Sequence, residues 1–69
     1  MSIGDLMVKR RSLRADQRTV AKRVGWYKET LVDLERGKIG LTPEDANKIE
    51  NALNEIETEQ NREGVSAVV

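Results

Sequence analysis

Residues 17–36 read QRTVAKRVGWYKETLVDLER, and the apolar spacing of this stretch decides the fold. Val20, Ala21 and Val24 recur at helical intervals and share one face. Gly25 follows at once, and Trp26, Leu31 and Leu34 then resume the apolar set. A glycine between two such segments suits a turn with positive φ, where a Cβ would be strained. Ala21 is small, as is required where a second helix crosses close to the first. The stretch therefore predicts two short helices joined by a tight turn, the second exposed and held at a fixed angle. A helix presented in that way has the geometry that enters a DNA major groove.

On the N-terminal side, a first helix is expected from near Ser2, with Asp5 three residues on as a partial capping box. Ile3, Leu6, Met7 and Leu13 form its apolar stripe, and the helix ends around Leu13-Arg14. Arg10 falls on the same stripe, where a charge is costly unless paired. Asp16 supplies an N-cap for helix 2, residues 17–24. Helix 3 is expected from about Tyr27 to Arg36, stopping at Gly37, with Lys38 to Leu41 as a loop.

On the C-terminal side, Thr42-Pro43-Glu44-Asp45 is a helix start: Thr as N-cap, Pro at the first helical position, acids in the first turn. Ala46, Ile49, Ala52 and Leu53 give this fourth helix its buried face. Asn54 with Glu57 suits the cap of a fifth helix over 55–62; with no glycine between them, helices 4 and 5 can equally run together. Gly64 is read as the end of the helix, which leaves residues 1–63 as one domain and 64–69 as a tail. The last five residues, VSAVV, suit either a strand paired across a dimer or a frayed end. The reading is an all-α domain of four or five helices.

Sixty-nine residues make one small domain, which buries only about 60% of its unfolded surface. The chain has no cysteine, hence no disulfide or thiol chemistry, and no histidine, the commonest general base and metal ligand. No apolar run approaches the ~20 residues of a membrane span. MSIGDLMVKRR has no uninterrupted apolar core, so no signal peptide is apparent and a reducing cytoplasm is expected. The remaining carboxylates fall on solvent-facing helix surfaces. An enzyme, a metal site, a cofactor and a small-molecule ligand are all unexpected.

The formal net charge is zero, but it is unevenly distributed. Residues 1–38 hold ten Lys/Arg and five Asp/Glu, a net of +5, and residues 39–69 hold two and seven, a net of −5. The basic half contains the two-helix segment, and phosphate binding depends on the local field rather than on the total.

Gln17, Val20, Ala21, Val24, Gly25, Trp26, Leu31 and Leu34, followed by Glu35-Arg36-Gly37-Lys38, resemble the helix-turn-helix of the lambda-repressor-like (Xre, Cro-type) family. The last four match the Glu-x-Gly-Lys ending common there, and the similarity extends over roughly residues 3–56. The family often has glycine where Arg14 stands, a smaller aliphatic residue in place of Trp26, and Gly-Val-Ser between its fourth and fifth helices.

With Leu31 facing the core and about 100° per residue, Glu29, Val32, Asp33 and Arg36 point the opposite way, with Lys28 at the flank. The resemblance implies that Lys28, Glu29, Val32 and Asp33 lie against base edges of a double-stranded operator. Lys28 would donate to guanine O6 and N7, Glu29 would accept from cytosine N4, and Val32 would touch a thymine methyl. Gln17 matches the family's phosphate-contacting glutamine, aided by the exposed amide at the helix N-terminus. Arg14, Arg18, Lys22 and Lys38 are further candidate phosphate contacts; Arg36 can serve either role, and Tyr27 can reach a phosphate through its hydroxyl. In family members an arginine of helix 1 pairs with a glutamate ending the recognition helix, which implies an Arg10–Glu35 pair. Trp26 is read as core packing.

The resemblance thus implies a small regulator of the Cro or repressor type, a homodimer on DNA, of a kind common in phages and other mobile elements. Glu29 and Asp33 stand where typical members carry Gln, Ser, Arg or Asn. They leave open a second reading, in which acidic helix faces bind a protein partner, as in an antirepressor, antitoxin or inhibitor.

Overall fold

Four helices account for the described backbone: α1 (Ile3–Ser12), α2 (Gln17–Val24), α3 (Lys28–Glu35) and α4 (Pro43–Val68). The computed structural model describes the backbone of residues 2–68 and the side chains of residues 2–62. Each start follows from local chemistry. Ser2 and Asp5 form a full capping box on α1, with Asp5 N–H donating to Ser2 Oγ (3.2 Å) and Ser2 N–H to Asp5 Oδ2 (3.3 Å). Asp16 Oδ1 accepts from Thr19 N–H at 2.7 Å, and Thr42 Oγ1 from Asp45 N–H at 3.1 Å. Tyr27 is the N-cap of α3 and makes no side-chain cap bond.

The turns answer to backbone sterics. Gly25 ends α2 at φ 90° and Gly37 follows α3 at φ 78°, both in the left-handed region that glycine occupies without strain. Arg14, between α1 and α2, sits at φ 58° and is the one non-glycine residue there among those described. The place where relatives often carry glycine is thus a left-handed position that this chain fills with an arginine.

Leu6, Val20, Leu31, Leu34, Ile49 and Leu53 are fully buried; Ala15, Ala21, Ala46, Ala52 and Ile56 complete the core, with Ile3, Leu13, Val24, Trp26 and Leu41 packed against it. Ala21 is 0% exposed, and its carbonyl accepts from both Gly25 and Trp26 N–H at 3.0 and 2.8 Å. The small residue therefore lets the turn fold directly onto α2. Trp26 packs on the core, as its place after the turn required. Met7, expected on the α1 stripe, is only half-buried.

Of the two readings left open at Asn54, the continuous helix holds: α4 runs unbroken from Pro43 to Val68. The Asn54 side chain accepts from Lys9 Nζ on α1 instead of turning back to cap a new helix. Nor does the helix stop at Gly64, because a glycine inside a helix costs only about 1 kcal/mol and breaks no hydrogen bond. Val65 to Val68 continue as helical backbone rather than a strand, and Val69 lies outside the described residues. α4 outruns the core. Among the described side chains its last buried residue is Ile56, and residues 57–62 are exposed. The molecule measures 44 × 21 × 17 Å, its long dimension approaching the ~39 Å length of a 26-residue helix.

Candidate nucleic-acid interface

α3 packs on α1 and α2 through Leu31 and Leu34, and its other side is free. Lys28, Glu29 and Arg36 are exposed; Val32 and Asp33 are half-exposed on the flanks. Arg36 is the C-cap of the helix rather than its last residue. Tyr27 is 83% exposed at the entry to α3, so most of its ring lies off the core.

The start of α2 lies beside the start of α3. Asp16, Gln17, Arg18 and Lys28 line a shallow depression of about 240 Å³ between the two helices. The acid in this depression already has a task. Hydrogen bonds from Thr19 hold the Asp16 carboxyl below its ordinary value against desolvation, and the charges of Arg18 and Lys28 add smaller effects in the same downward direction. The candidates Arg18, Gln17 and Lys28 are thereby brought together. Arg14 stands in the α1–α2 connection, Lys22 near the end of α2, and Lys38 beyond Gly37. The structure joins none of these three to that depression.

Behind the face lies a buried polar centre. Arg10 Nε and Nη2 donate to the two carboxylate oxygens of Glu35, at 2.8 and 3.0 Å. Arg10 Nη1 donates to the Ala15 carbonyl at 2.9 Å. The two side chains are 11% and 6% exposed. This bidentate geometry offsets the desolvation of both charges, and no buried side-chain polar atom is left without a partner among the described residues. Gln17 Nε2 also donates to Glu35 Oε1, at 2.9 Å. One amide hydrogen of Gln17 is therefore committed inward, leaving only its second N–H to donate to a phosphate. Spacing alone did not reveal this third arm.

A second polar system lies toward α4. Arg23 Nη1 and Nη2 grip Glu59 at 2.7 and 2.9 Å, and Nη1 also reaches Glu55 at 3.3 Å. The hydrogen bond from Arg23 is the main cause that lowers the Glu59 carboxyl pKa, and the same bond is the main cause that raises that of Arg23. Gln60 donates to the Leu13 carbonyl at 2.6 Å, and Lys9 lies 4.0 Å from Glu57. The sequence reading missed this set. Two acids four apart, Glu55 and Glu59, were the available signal, yet nothing local showed which cation they would meet.

Cations divide accordingly. Among the described residues, Lys9, Arg10, Arg23 and Lys48 have carboxylate partners. Arg14, Arg18, Lys22, Lys28, Arg36 and Lys38 form no ion pair there, and neither do Arg11 and Arg62. Also among the described residues, no group of acids is arranged to hold a metal ion, and no helix is long and apolar enough to cross a membrane.

No curated protein and no solved structure matches the chain significantly. A family model described as helix-turn-helix matches residues 8–60, most of the chain and all of α2 and α3. With the two-helix unit, its glycine turn and the all-α core around it, the chain belongs to the lambda-repressor-like (Xre) helix-turn-helix family of DNA-binding regulators.

Proposed function

We propose that this protein is a sequence-specific transcriptional regulator of the Cro or repressor type that lays α3 in the major groove of a duplex operator. Lys28, Glu29, Val32 and Asp33 read base edges. Gln17, Arg14, Arg18, Lys22, Tyr27 and Lys38 hold the phosphates, with Arg36 at the helix end serving either. The observation that carries this reading is the division of charge: the candidate contact cations have no ion-pair partner among the described residues, whereas Arg10 and Arg23, which face α3 and α4, have theirs. Unpaired cations give up no internal contact when they meet phosphate.

A single recognition helix reads only a few base pairs, so the working unit is a homodimer on two half-sites about one helical turn apart. A protein-partner reading keeps one point in its favour, the unpaired acids Glu29 and Asp33 on α3.

Salt dependence separates the two. With about four to six phosphates contacted per bound unit, log K for a duplex falls with log[salt] at a slope of about −4 to −5. A flat response, or no duplex binding at low salt, overturns the duplex reading in favour of a protein partner.

A further inference from the structure

The basic half of the chain has five acids, and the fold uses three of them. Asp5 closes the capping box of α1, Asp16 caps α2, and Glu35 holds Arg10 and Gln17. Glu29 and Asp33 remain. They stand one turn apart on α3, Glu29 exposed and Asp33 half-exposed on the flank, and neither carboxylate has a hydrogen bond or ion pair among the described residues. Like charges four apart weaken a helix slightly, and Asp33 lies past the first turn, where the helix dipole would favour an acid. Glu29 lies in the first turn and gains a little from the dipole, but the like-charge neighbour offsets that, Asp33 gains nothing, and a polyanion would repel both.

A carboxylate accepts hydrogen bonds and donates none. In the major groove the only donors are the exocyclic amines, cytosine N4 and adenine N6; guanine and thymine show acceptors and a methyl. Resting on the duplex reading above, we propose that Glu29 and Asp33 make binding conditional on unmodified exocyclic amines. Methylation of cytosine N4 or adenine N6 within the operator then switches binding off.

The chemistry is direct. In a base pair one amine hydrogen is spent on pairing and the other points into the groove. A methyl on the amine of a still-paired base takes the groove position. It removes the donor and places an apolar group against a carboxylate whose water has been displaced, leaving that charge unpaired. Methylation at cytosine C5 differs, because the amine survives and the new methyl lies where Val32, between the two acids in sequence, has an apolar surface to offer. Four residues of helix rise about 6 Å, close to two base steps of about 3.4 Å, so the two acids address amines up to two steps apart.

The test uses the full chain and an operator selected from a random pool of unmodified duplexes. That operator is remade with one N4-methylcytosine or N6-methyladenine at a time, and with 5-methylcytosine at the same cytosines. At one or two amines per half-site, amine methylation lowers affinity at least ~10-fold, whereas C5 methylation changes it less than ~3-fold. Glu29→Ala abolishes the amine effect at one position and Asp33→Ala at the other; neither side chain supports the fold, so both variants remain helical by circular dichroism. Equal affinity of the wild type for methylated and unmethylated operators overturns the proposal. So does full methyl sensitivity in the Glu29→Ala/Asp33→Ala double variant, which would place the effect in the duplex itself. A pool that yields no preferred sequence sinks the duplex reading and this proposal with it. A preferred sequence without methyl sensitivity sinks this proposal alone.

Discussion

Lys22 and Arg23 are neighbours in sequence on α2, and the fold treats them oppositely. Arg23 turns toward α4, where Glu59 and Glu55 neutralise it. Lys22 is exposed and has no partner among the described residues. The same contrast runs through the molecule. The acidic C-terminal half docks its carboxylates on α1 and α2 through Lys9 and Arg23, while the cations of the helix-turn-helix surface remain unmatched. Three acids of α4, Glu55, Glu57 and Glu59, are thus taken up by Lys9 and Arg23, and a chain of zero net charge keeps unpaired cations on the helix-turn-helix. Charge segregation in sequence becomes charge segregation in space only because α4 folds back along α1 and α2.

The hardest blow to this arrangement falls at its centre. Glu35→Met leaves Arg10 buried with only the Ala15 carbonyl, and stability drops by about 3 kcal/mol in urea unfolding. For a domain of this size that is a large part of a total of about 3–10 kcal/mol. Arg10→Met costs a similar amount, whereas the double replacement Arg10→Met/Glu35→Met recovers most of the loss, since no charge is then left unpaired. A coupling energy near zero in this cycle would mean that the two charges act independently.

The Lys22–Arg23 contrast itself is sharpened by two alanine variants. Lys22→Ala weakens binding to all duplexes alike and makes the log K against log[salt] slope shallower by about 1. Arg23→Ala leaves that slope unchanged and shows its effect in thermal unfolding instead. Equal slopes for the two variants would erase the distinction between the surfaces.

Arg14 tests the edge of the interface. A left-handed residue with a Cβ carries about 1 kcal/mol of strain, which Arg14→Gly relieves. The melting temperature should rise by about 4–8 °C, the scale for 1 kcal/mol in a small domain. Affinity for DNA should fall at the same time if the side chain meets a phosphate. A variant that melts lower would show that the arginine side chain stabilises the fold by more than its backbone costs.

The smallest effect is on acid stability. Asp16 and Glu59 have carboxyls held below their ordinary values of 3.8 and 4.5, so each contributes stability that is fully present above those values. As pH falls through the lowered folded values, protonation releases the Thr19 and Arg23 hydrogen bonds and the contribution is lost. Glu59→Gln should flatten the fall of the urea midpoint between about pH 5 and pH 2, and Asp16→Asn should do so through the α2 cap. A midpoint curve with the same acid limb in Glu59→Gln as in the wild type would show that the α4 contact is too solvated to matter.

Residues 17–36 fixed the essentials by themselves. Apolar residues at helical spacing, a glycine that takes positive φ and an alanine small enough for a close crossing are local requirements, and they left one arrangement of α2 and α3. The caps Ser2, Asp16 and Thr42 were legible for the same reason, since each acts on a backbone N–H three residues away. Helical angle alone placed Glu29 and Arg36 on the exposed side of α3, but not the half-buried flank positions of Val32 and Asp33.

Only the tertiary structure decided the rest, because it depended on residues distant in sequence. Gln17 looked like a free phosphate ligand until α2 was laid against the end of α3, where Glu35 takes one of its hydrogens. Asn54 looked like a cap until α1 brought Lys9 to it, and with that cap spent elsewhere nothing interrupted the helical hydrogen bonds of α4. Arg23 looked like any solvated cation until Glu55 and Glu59 arrived from 32 and 36 residues away. Local sterics and hydrogen bonds within a turn of helix can be read from neighbouring residues, but a long polar side chain can satisfy itself in many ways. Which way it takes is set by the packing of the apolar core, which brings one partner within reach and removes the others.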